Sequence, residues 1–334
     1  MNSGSFESKE LCAKFSTDVI TSCAFGLEAH SFKNENAEFR SVGRQMFDFR
    51  WLLSIRQSCY FLAPSLAKFT RMTFFDLKLT NFLRNVFWRT IEERSTSNRR
   101  NDLIDLIIDL RNQSCSAETL RGDTVVAQAS QFFAAGFETV SSTMAFTLFE
   151  LCINPNIQEK LKTEIAIALT EHEQLNYEAV QSIKYLHMVI CETLRKYPVL
   201  PFLDRICMHD YKLPNNDFII KKGTPVYIPL LGLHYDPKYF SNPETFDPER
   251  FSDENKNSFP SFSYIPFGEG PRNCIGERFG LLAAKIGIIQ ILSEYEVLKC
   301  ADTPARIEFT SKSVLLASKV GIPIQFKKSH SLAA

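Results

Sequence analysis

A ten-residue stretch decides how this chain is interpreted: residues 267–276 run Phe-Gly-Glu-Gly-Pro-Arg-Asn-Cys-Ile-Gly. The apolar residues that follow it are spaced as on one face of a helix beginning near Gly276. They are Phe279, Leu282, Ala283, Ile286 and Ile289. Cys274 would lie at the N-terminus of that helix, where free N–H groups and the helix dipole favour an anion. We therefore predict that its thiol ionises easily and serves as a metal ligand.

Size and composition indicate a globular protein with a large core. The chain has 334 residues, of which 45% are hydrophobic and 23% charged. No Gly/Ser-rich or Pro-rich linker divides it and no internal repeat is visible, so we predict a single domain over residues 1–334. The 38 basic and 38 acidic residues cancel, and nothing in this balance favours a nucleic-acid partner.

The nine cysteines are odd in number, scattered, and contain no CxxC pair. This usage fits a reducing compartment and argues against a disulfide framework or a structural zinc site. For the eight cysteines other than Cys274 we predict the ordinary role of small buried hydrophobic residues. The polar N-terminus has no signal-peptide pattern, and polar residues interrupt the apolar stretch 124–154, which argues against a membrane span.

The hydrophobic pattern predicts a mainly α fold with small β-sheets. The predicted elements are a long central helix from Asp123 or Thr124 to about Cys152, helices at about 157–170 and 183–196, a hairpin of residues 218–220 and 226–228 around Lys222-Gly223, and a closing strand at 320–326. Polar segments at residues 93–102 and 113–123 are expected to separate the predicted helices. Residues 51–75 form an aromatic-rich, basic loop, which either touches a membrane surface or covers ordinary core aromatics.

Two further motifs carry chemistry. Glu192 and Arg195 are three residues apart on a predicted helix and share one face, and a second arginine follows in the segment 248–251, Pro-Glu-Arg-Phe. A Glu–Arg–Arg network would lock the helix to that segment and hold the cysteine stretch in place.

Residues 135–139 run Ala-Gly-Phe-Glu-Thr in the middle of the long helix. Glycine costs about 1 kcal/mol there relative to alanine, so its presence needs a reason. One reason is that Ala135-Gly136 opens room for a flat ligand or a diatomic molecule, with Glu138 and Thr139 relaying protons beside it. The alternative is a helix–helix contact through small residues.

Taken together, these motifs resemble those of the cytochrome P450 family. Residues 267–276 are similar to its haem-binding signature, and Glu192/Arg195, 248–251 and 135–139 resemble its other three motifs in the family's order. The sequences of residues 132–143 and 61–67 most resemble those of insect microsomal members that oxidise xenobiotics and hormones. The resemblance covers nearly all of the chain and implies the cytochrome P450 fold.

The resemblance also implies residue roles. Cys274 would be the proximal ligand of the iron of haem b, a thiolate that favours O–O cleavage, and Arg272 would bind a haem propionate. Phe267 would shield the sulfur, while Gly268 and Gly276 let the backbone approach the haem. Further roles would fall to Arg205 as a second propionate ligand, Thr139 in oxygen activation and Glu138 in proton delivery.

The reaction implied is monooxygenation of an apolar small molecule, such as a xenobiotic, hormone or lipid, by O2. Electrons would come from NADPH through NADPH–cytochrome P450 reductase, with cytochrome b5 as a further donor, at the cytosolic face of the endoplasmic reticulum membrane. Family members are about half as long again, so the resemblance implies that the N-terminal part, with its membrane anchor, is absent. The alternatives are a truncated haem-binding or inactive fragment, and a haem-thiolate isomerase or dehydratase that needs no oxygen.

Overall fold

The structure, a computed structural model, describes residues 4–48, 50–96, 99–113 and 122–329. It is mainly α with small antiparallel sheets, as the sequence predicts. The helices are α1 (Ser8–Ile20), α2 (Glu38–Met46), α3 (Trp51–Leu62), α4 (Pro64–Phe69), α5 (Leu77–Thr96), α6 (Leu103–Asn112), α7 (Asp123–Ile153), α8 (Pro155–Glu171), α9 (Tyr177–Ser182), α10 (Lys184–Lys196), α11 (Leu230–His234) and α12 (Glu277–Glu294). A π-helix at Thr21–Phe25 continues α1, and 3-10 turns lie at Pro248–Phe251 and Gly270–Arg272.

The strands are short and lie in three sheets. They are β1 (Phe6–Glu7), β2 (Leu203–Ile206), β3 (Tyr211–Lys212), β4 (Ile219–Ile220), β5 (Pro225–Ile228), β6 (Tyr295–Leu298) and β7 (Pro323–Lys328). The sheets have the strand orders β1-β7-β6, β2-β5 and β3-β4. The predicted closing strand is therefore confirmed as β7, although it begins at Pro323 and not at Val320.

Helix α7 confirms the predicted central helix and organises the core. It ends at Ile153, just before Pro155, which opens α8. All residues from Val140 to Cys152 are buried. Within the described residues, α7 is the one helix long and apolar enough to cross a membrane, and most of its apolar part is buried inside the protein. The apolar character of its C-terminal half thus matches packing on all sides by other elements.

Helix α7 contributes residues to two hydrophobic clusters. The larger includes Met144 and Phe149 of α7 with Ile190 of α10 and Ile288 of α12. The smaller surrounds the N-terminal half of α7, where Phe133 is completely buried. Full burial of an aliphatic or aromatic side chain stabilises a fold by about 1.5–3 kcal/mol, so these clusters fix where α1, α10 and α12 lie against α7.

The predicted hairpin is wrong. Residues 219–220 form β4, which pairs with β3, whereas residues 225–228 form β5, which pairs with β2. The Lys222-Gly223 turn therefore links two different sheets, and Asp210 accepts hydrogen bonds from the Lys222 backbone and the Lys221 ammonium group. Pairing with β2 places Ile228 beside the small buried cluster of Leu203, Leu230 and Ile265. Burial of Ile228 against this cluster favours the pairing of β5 with β2 over a hairpin with β4.

The predicted loop at 51–75 is also wrong in part, because α3 and α4 lie within it. Its aromatic residues are partly packed inside the protein and partly exposed, so the structure shows core contacts for some of them and leaves others open to solvent. Phe61 and Phe74 contact one another edge to face, and Phe61 also contacts Phe202, whereas Trp51 and Phe69 are 65% and 86% exposed. The expected break at 93–102 begins late because α5 continues to Thr96. Residues 114–121 of the second break lie outside the described residues.

Candidate functional site

The cysteine loop, residues 267–276, folds back on itself through backbone hydrogen bonds. The Cys274 N–H donates to the Phe267 carbonyl at 2.8 Å, and the Gly268 N–H donates to Ile265 at 2.9 Å. Gly268 and Gly270 have φ angles of 73° and 78°, which residues with a side chain rarely adopt. Gly276 then caps α12, which begins at Glu277 as predicted. The loop thus holds the Cys274 thiol beside the first turn of a helix.

The prediction that this thiol ionises easily is wrong for the protein as the structure shows it. Partial burial of the sulfur raises the pKa of Cys274, and the nearby Glu277 carboxylate raises it further. The Gly276 N–H acts in the opposite direction by stabilising the thiolate. The helix N-terminus is therefore outweighed, because the same turn that supplies an N–H donor also carries a negative side chain.

An exposed apolar surface accompanies the thiol. Cys274 is accessible to solvent, and Ile275, the next residue, is 89% exposed. A large aliphatic side chain so exposed beside the Cys274 thiol is better suited to contact with an apolar group than with water. Ile275 was not among the site residues predicted from the sequence, although it lies between Cys274 and the capping Gly276.

The side chain of Arg205 reaches the loop that contains Arg272. A Cβ atom added to Gly268 would lie 3.4 Å from Nη2 of Arg205 and 3.9 Å from the backbone oxygen of Arg272. Arg205 donates to the Asp204 carbonyl at 2.8 Å. Across the described ranges, neither guanidinium group has a carboxylate partner. Two unpaired guanidinium groups suit a ligand with two carboxylates.

Helix α7 passes close to the start of α12. A Cβ atom added to Gly280 would lie 3.9 Å from Val140 Cγ2, so the residue after Thr139 meets α12 six positions after Cys274. The Thr139 hydroxyl donates to the Ala135 carbonyl at 2.6 Å, and Ala135 is exposed. This open face of α7 is available to a ligand. No hydrogen bond joins Thr139 and Cys274 directly in the described part of the chain.

Gly136 does not open that face. A Cβ atom there would lie 2.5 Å from Cδ1 of Ile20, so the glycine allows α1 to pack closely against α7. The helix–helix alternative is correct for Gly136, and Ala135 is the small residue on the open side. Glu138 also points to α1, where its Oε1 lies 2.9 Å from Nζ of Lys9.

The predicted Glu–Arg–Arg network is present and buried. The Arg195 Nε and Nη2 donate to the two Glu192 carboxylate oxygens at 2.7 and 2.8 Å, and both side chains are completely buried. Arg250 Nε lies 3.4 Å from Glu192 Oε1, and the Asp247 N–H donates to the same oxygen at 2.9 Å. Burial raises the pKa of Glu192, while the Arg195 guanidinium lowers it.

His234 connects this network to the cysteine loop, and the sequence analysis missed it. Its Nε2 accepts from the Ile265 N–H at 3.3 Å, two residues before the loop begins. Its Nδ1, 3.1 Å from the Arg195 carbonyl, then carries the proton and donates it. Arg195 Nη1 in turn donates to the His234 carbonyl at 3.1 Å. Burial lowers the pKa of His234 to about 4, which keeps the ring neutral.

Comparison with known proteins identifies the family of this chain. The family model described as Cytochrome P450 matches residues 1–324. The chain belongs to the cytochrome P450 family. Cytochrome P450 6k1 of Blattella germanica is 46% identical over 98% of this chain and 67% of that protein. Probable cytochrome P450 6a13 of Drosophila melanogaster is 39% identical over 97% of this chain and 66% of that protein.

The insect likeness predicted from the motifs is thus confirmed. Cytochrome P450 6j1 of Blattella germanica, 41% identical, is covered over 64% of its length. This cytochrome P450 chain therefore spans about two thirds of the curated relatives it matches. Membership of the family implies haem with a cysteine thiolate as axial ligand.

The residues present fit such a group. Haem combines an iron atom, a flat apolar ring and two propionates, and the site offers an accessible thiol, an exposed isoleucine and two unpaired arginines.

Proposed function

We propose that this chain is the haem-binding part of a monooxygenase that inserts one oxygen atom from O2 into an apolar small molecule. The observation that carries the proposal is the accessible Cys274 thiol, flanked by exposed Ile275 and lying just before α12, which packs against α7 through Gly280 and Val140. The similarity to insect cytochromes P450 supports the same chemistry.

On the α12 side, Cys274 would hold the iron as a thiolate. Arg272 and Arg205 would bind the two propionates, since neither guanidinium group has a carboxylate partner among the described residues and both can donate to one. Gly268, with its positive φ and no side chain, would let the loop approach the haem closely, and Gly276 would do so beside the sulfur, since a Cβ there would be 4.0 Å from Sγ. Phe267 fixes the loop by accepting the Cys274 hydrogen bond.

When bound, haem b supplies the activation of O2 and the transfer of one oxygen atom. The α7 side would serve proton transfer. The Thr139 hydroxyl is the hydrogen-bonding group on the open face, and Glu138 is the neighbouring acid that would bring protons from solvent. Ala135 leaves space beside the Thr139 hydroxyl, because a larger side chain on the preceding turn would fill it.

Electrons would come from NADPH through NADPH–cytochrome P450 reductase, with cytochrome b5 as a further donor. Exposed Arg278 beside the cysteine loop supports an acidic protein partner at this face. We also propose that the protein lies at the endoplasmic reticulum membrane, facing the cytosol. The exposed apolar side chains of α3 and α4, including Trp51, Leu62 and Phe69, support this placement.

The substrate would be a xenobiotic, hormone or lipid. An apolar pocket accepts such molecules broadly, because apolar contacts discriminate weakly between similar shapes. Edge-to-face contacts of Phe61 with Phe74 and of Phe202 with Tyr227 support an aromatic border near β2.

The absorption spectrum of the reduced, carbon-monoxide-bound chain tests this function after haem is added. A far-shifted thiolate-type band that is lost in Cys274→Ser and retained in Cys23→Ser, another exposed cysteine, would support it. If haem binds with an unshifted band, or does not bind, this chain alone is an inactive fragment. NADPH-dependent product formation with added reductase then separates a haem-binding fragment from an enzyme.

A further inference from the structure

The Lys9 ammonium group has more acceptors than protons. Its Nζ lies 2.9 Å from Glu138 Oε1, 3.2 Å from the Glu138 carbonyl, 2.6 Å from Ser141 Oγ and 2.8 Å from Ser142 Oγ. An ammonium group donates three hydrogen bonds. Four oxygens therefore surround three N–H groups, so one acceptor can leave without leaving a donor unpaired.

The carboxylate is the acceptor that can leave. The Glu138 carbonyl belongs to the backbone of α7, and the two serine hydroxyls sit on short side chains of the same helix. Ser141 Oγ is further held by donating to the Glu138 carbonyl at 3.0 Å. The Glu138 carboxylate, by contrast, ends a side chain with three rotatable bonds and is 14% exposed.

Other charged groups around Lys9 do not replace Glu138. Burial lowers the pKa of Lys9, and the coulombic effect of Arg40 on α2 acts in the same direction, while Glu138 and the thiol of Cys12 act in the opposite direction. Glu10, the neighbouring acid on α1, is engaged by Arg40 and Arg44 at 2.7 Å each. If Glu138 leaves, the ammonium group has to rely on the serine hydroxyls and the carbonyl.

We propose that Lys9 is a positioning residue that holds Glu138 on the α1 side of α7 and can release it, because Ser141 and Ser142 keep the ammonium group hydrogen-bonded. Glu138 and Thr139 are adjacent and lie about 100° apart around the helix. Release lets the carboxylate turn towards the open face where Thr139 lies. The catalytic meaning of this movement rests on the proposed monooxygenase function, but the hydrogen-bond arrangement does not.

The test measures how Lys9 responds when the carboxylate is removed. In protein labelled with ¹³Cε-lysine, the Lys9 signal is assigned by its loss in Lys9→Arg and followed by NMR as a function of pH. Glu138→Leu imitates departure of the carboxylate. In the otherwise unchanged chain we expect it to lower the Lys9 titration midpoint by about one pH unit or less, because three acceptors remain. In the Ser141→Ala/Ser142→Ala background we expect Glu138→Leu to cause at least about twice that shift, because the effects of substitutions at contacting residues are not additive.

Equal shifts in the two backgrounds would overturn the proposal, because the hydroxyls would then not hold the ammonium group. A shift of about three units or more in the unchanged background would overturn it as well. Lys14, on the same helix and without an ion pair or side-chain hydrogen bond within the described ranges, serves as control, and its NMR signal should not differ between the variants. If the double serine variant does not fold by circular dichroism, Ser142→Ala alone replaces it with the same criterion. No haem is needed, so this result is independent of the spectrum that tests the function.

Discussion

Arg195 and Glu192 form a doubly hydrogen-bonded ion pair with no solvent access to either side chain. A buried charge is tolerated only with a partner, and removal of one member leaves the other unpaired. The pair also supports His234 and, through it, the residue two positions before the cysteine loop.

We expect Arg195→Leu to lower the free energy of unfolding by about 3–5 kcal/mol. Arg195→Lys should recover only part of this loss, because a single ammonium group cannot match both carboxylate oxygens in the arginine geometry. Urea unfolding at neutral pH measures both. Arg99→Lys, in an exposed pair with Asp109, is the control and should cost under about 1 kcal/mol. A similar small loss for Arg195→Leu would contradict the role of the pair.

His234 should make stability depend on pH. Its pKa is lowered to about 4 in the folded chain, against about 6.5 in the unfolded chain. Between these values the unfolded state binds more protons, so stability rises with pH from about 4 to 6.5 and falls by about 3 kcal/mol as the pH drops through that window. Urea unfolding at several pH values should show a flatter dependence for His234→Gln. His209→Gln, at an exposed position, should keep the dependence of the original chain.

Two helical glycines should respond to alanine with opposite signs. Gly136→Ala places a Cβ 2.5 Å from Ile20, and such overpacking costs about 1–3 kcal/mol. In Gly280→Ala the Cβ meets Val140 at an ordinary 3.9 Å, so the better helix propensity should stabilise by about 0.5–1 kcal/mol. Thermal unfolding of the two variants decides this. Stabilisation by Gly136→Ala would show that α1 does not pack against the glycine as described.

Haem loading should become stronger as pH rises. The iron ligand is the thiolate, so a proton competes with the metal for Cys274, whose pKa is raised in this chain. Removal of the Glu277 carboxylate, one cause of that rise, in Glu277→Gln should move the midpoint of thiolate-type haem binding to lower pH. Spectrophotometric titration with haem measures it. Glu269→Gln, an exposed loop acid outside the causes of the shift, should leave the midpoint unchanged; a shift of equal size there would argue for a general charge effect.

The exposed apolar side chains of α3 and α4 should bind lipid. Trp51 and Phe69 are 65% and 86% exposed, and apolar residues of this size at a helix surface insert into the membrane interface. We expect Trp51→Ser/Phe69→Ser to bind less to phosphatidylcholine vesicles in a flotation assay. Phe262→Ser, equally apolar and 70% exposed elsewhere, is the control. Equal binding by all three proteins would contradict the proposed membrane contact.

The sequence determined the parts of this protein that depend on local pattern. The cysteine loop, the helix that follows it and the long α7 were predicted correctly, because glycine, proline and apolar periodicity act over a few residues. Glu192 and Arg195 were paired correctly for the same reason, since their spacing places them on one helix face.

Only the tertiary structure decided features that depend on distant partners. Strand β5 pairs with β2 and not with β4, because burial beside Leu203 and Ile265 favours that partner. The raised pKa of Cys274 reflects partial burial of the sulfur, which depends on packing, and the Glu277 charge; a helix-dipole argument includes neither. Gly136 faces Ile20, Glu138 is held by Lys9, and His234 links the ion pair to the cysteine loop. The contacts of Gly136, Glu138 and His234 join residues far apart in the chain, and sequence periodicity shows which face of an element is apolar but not which group that face meets.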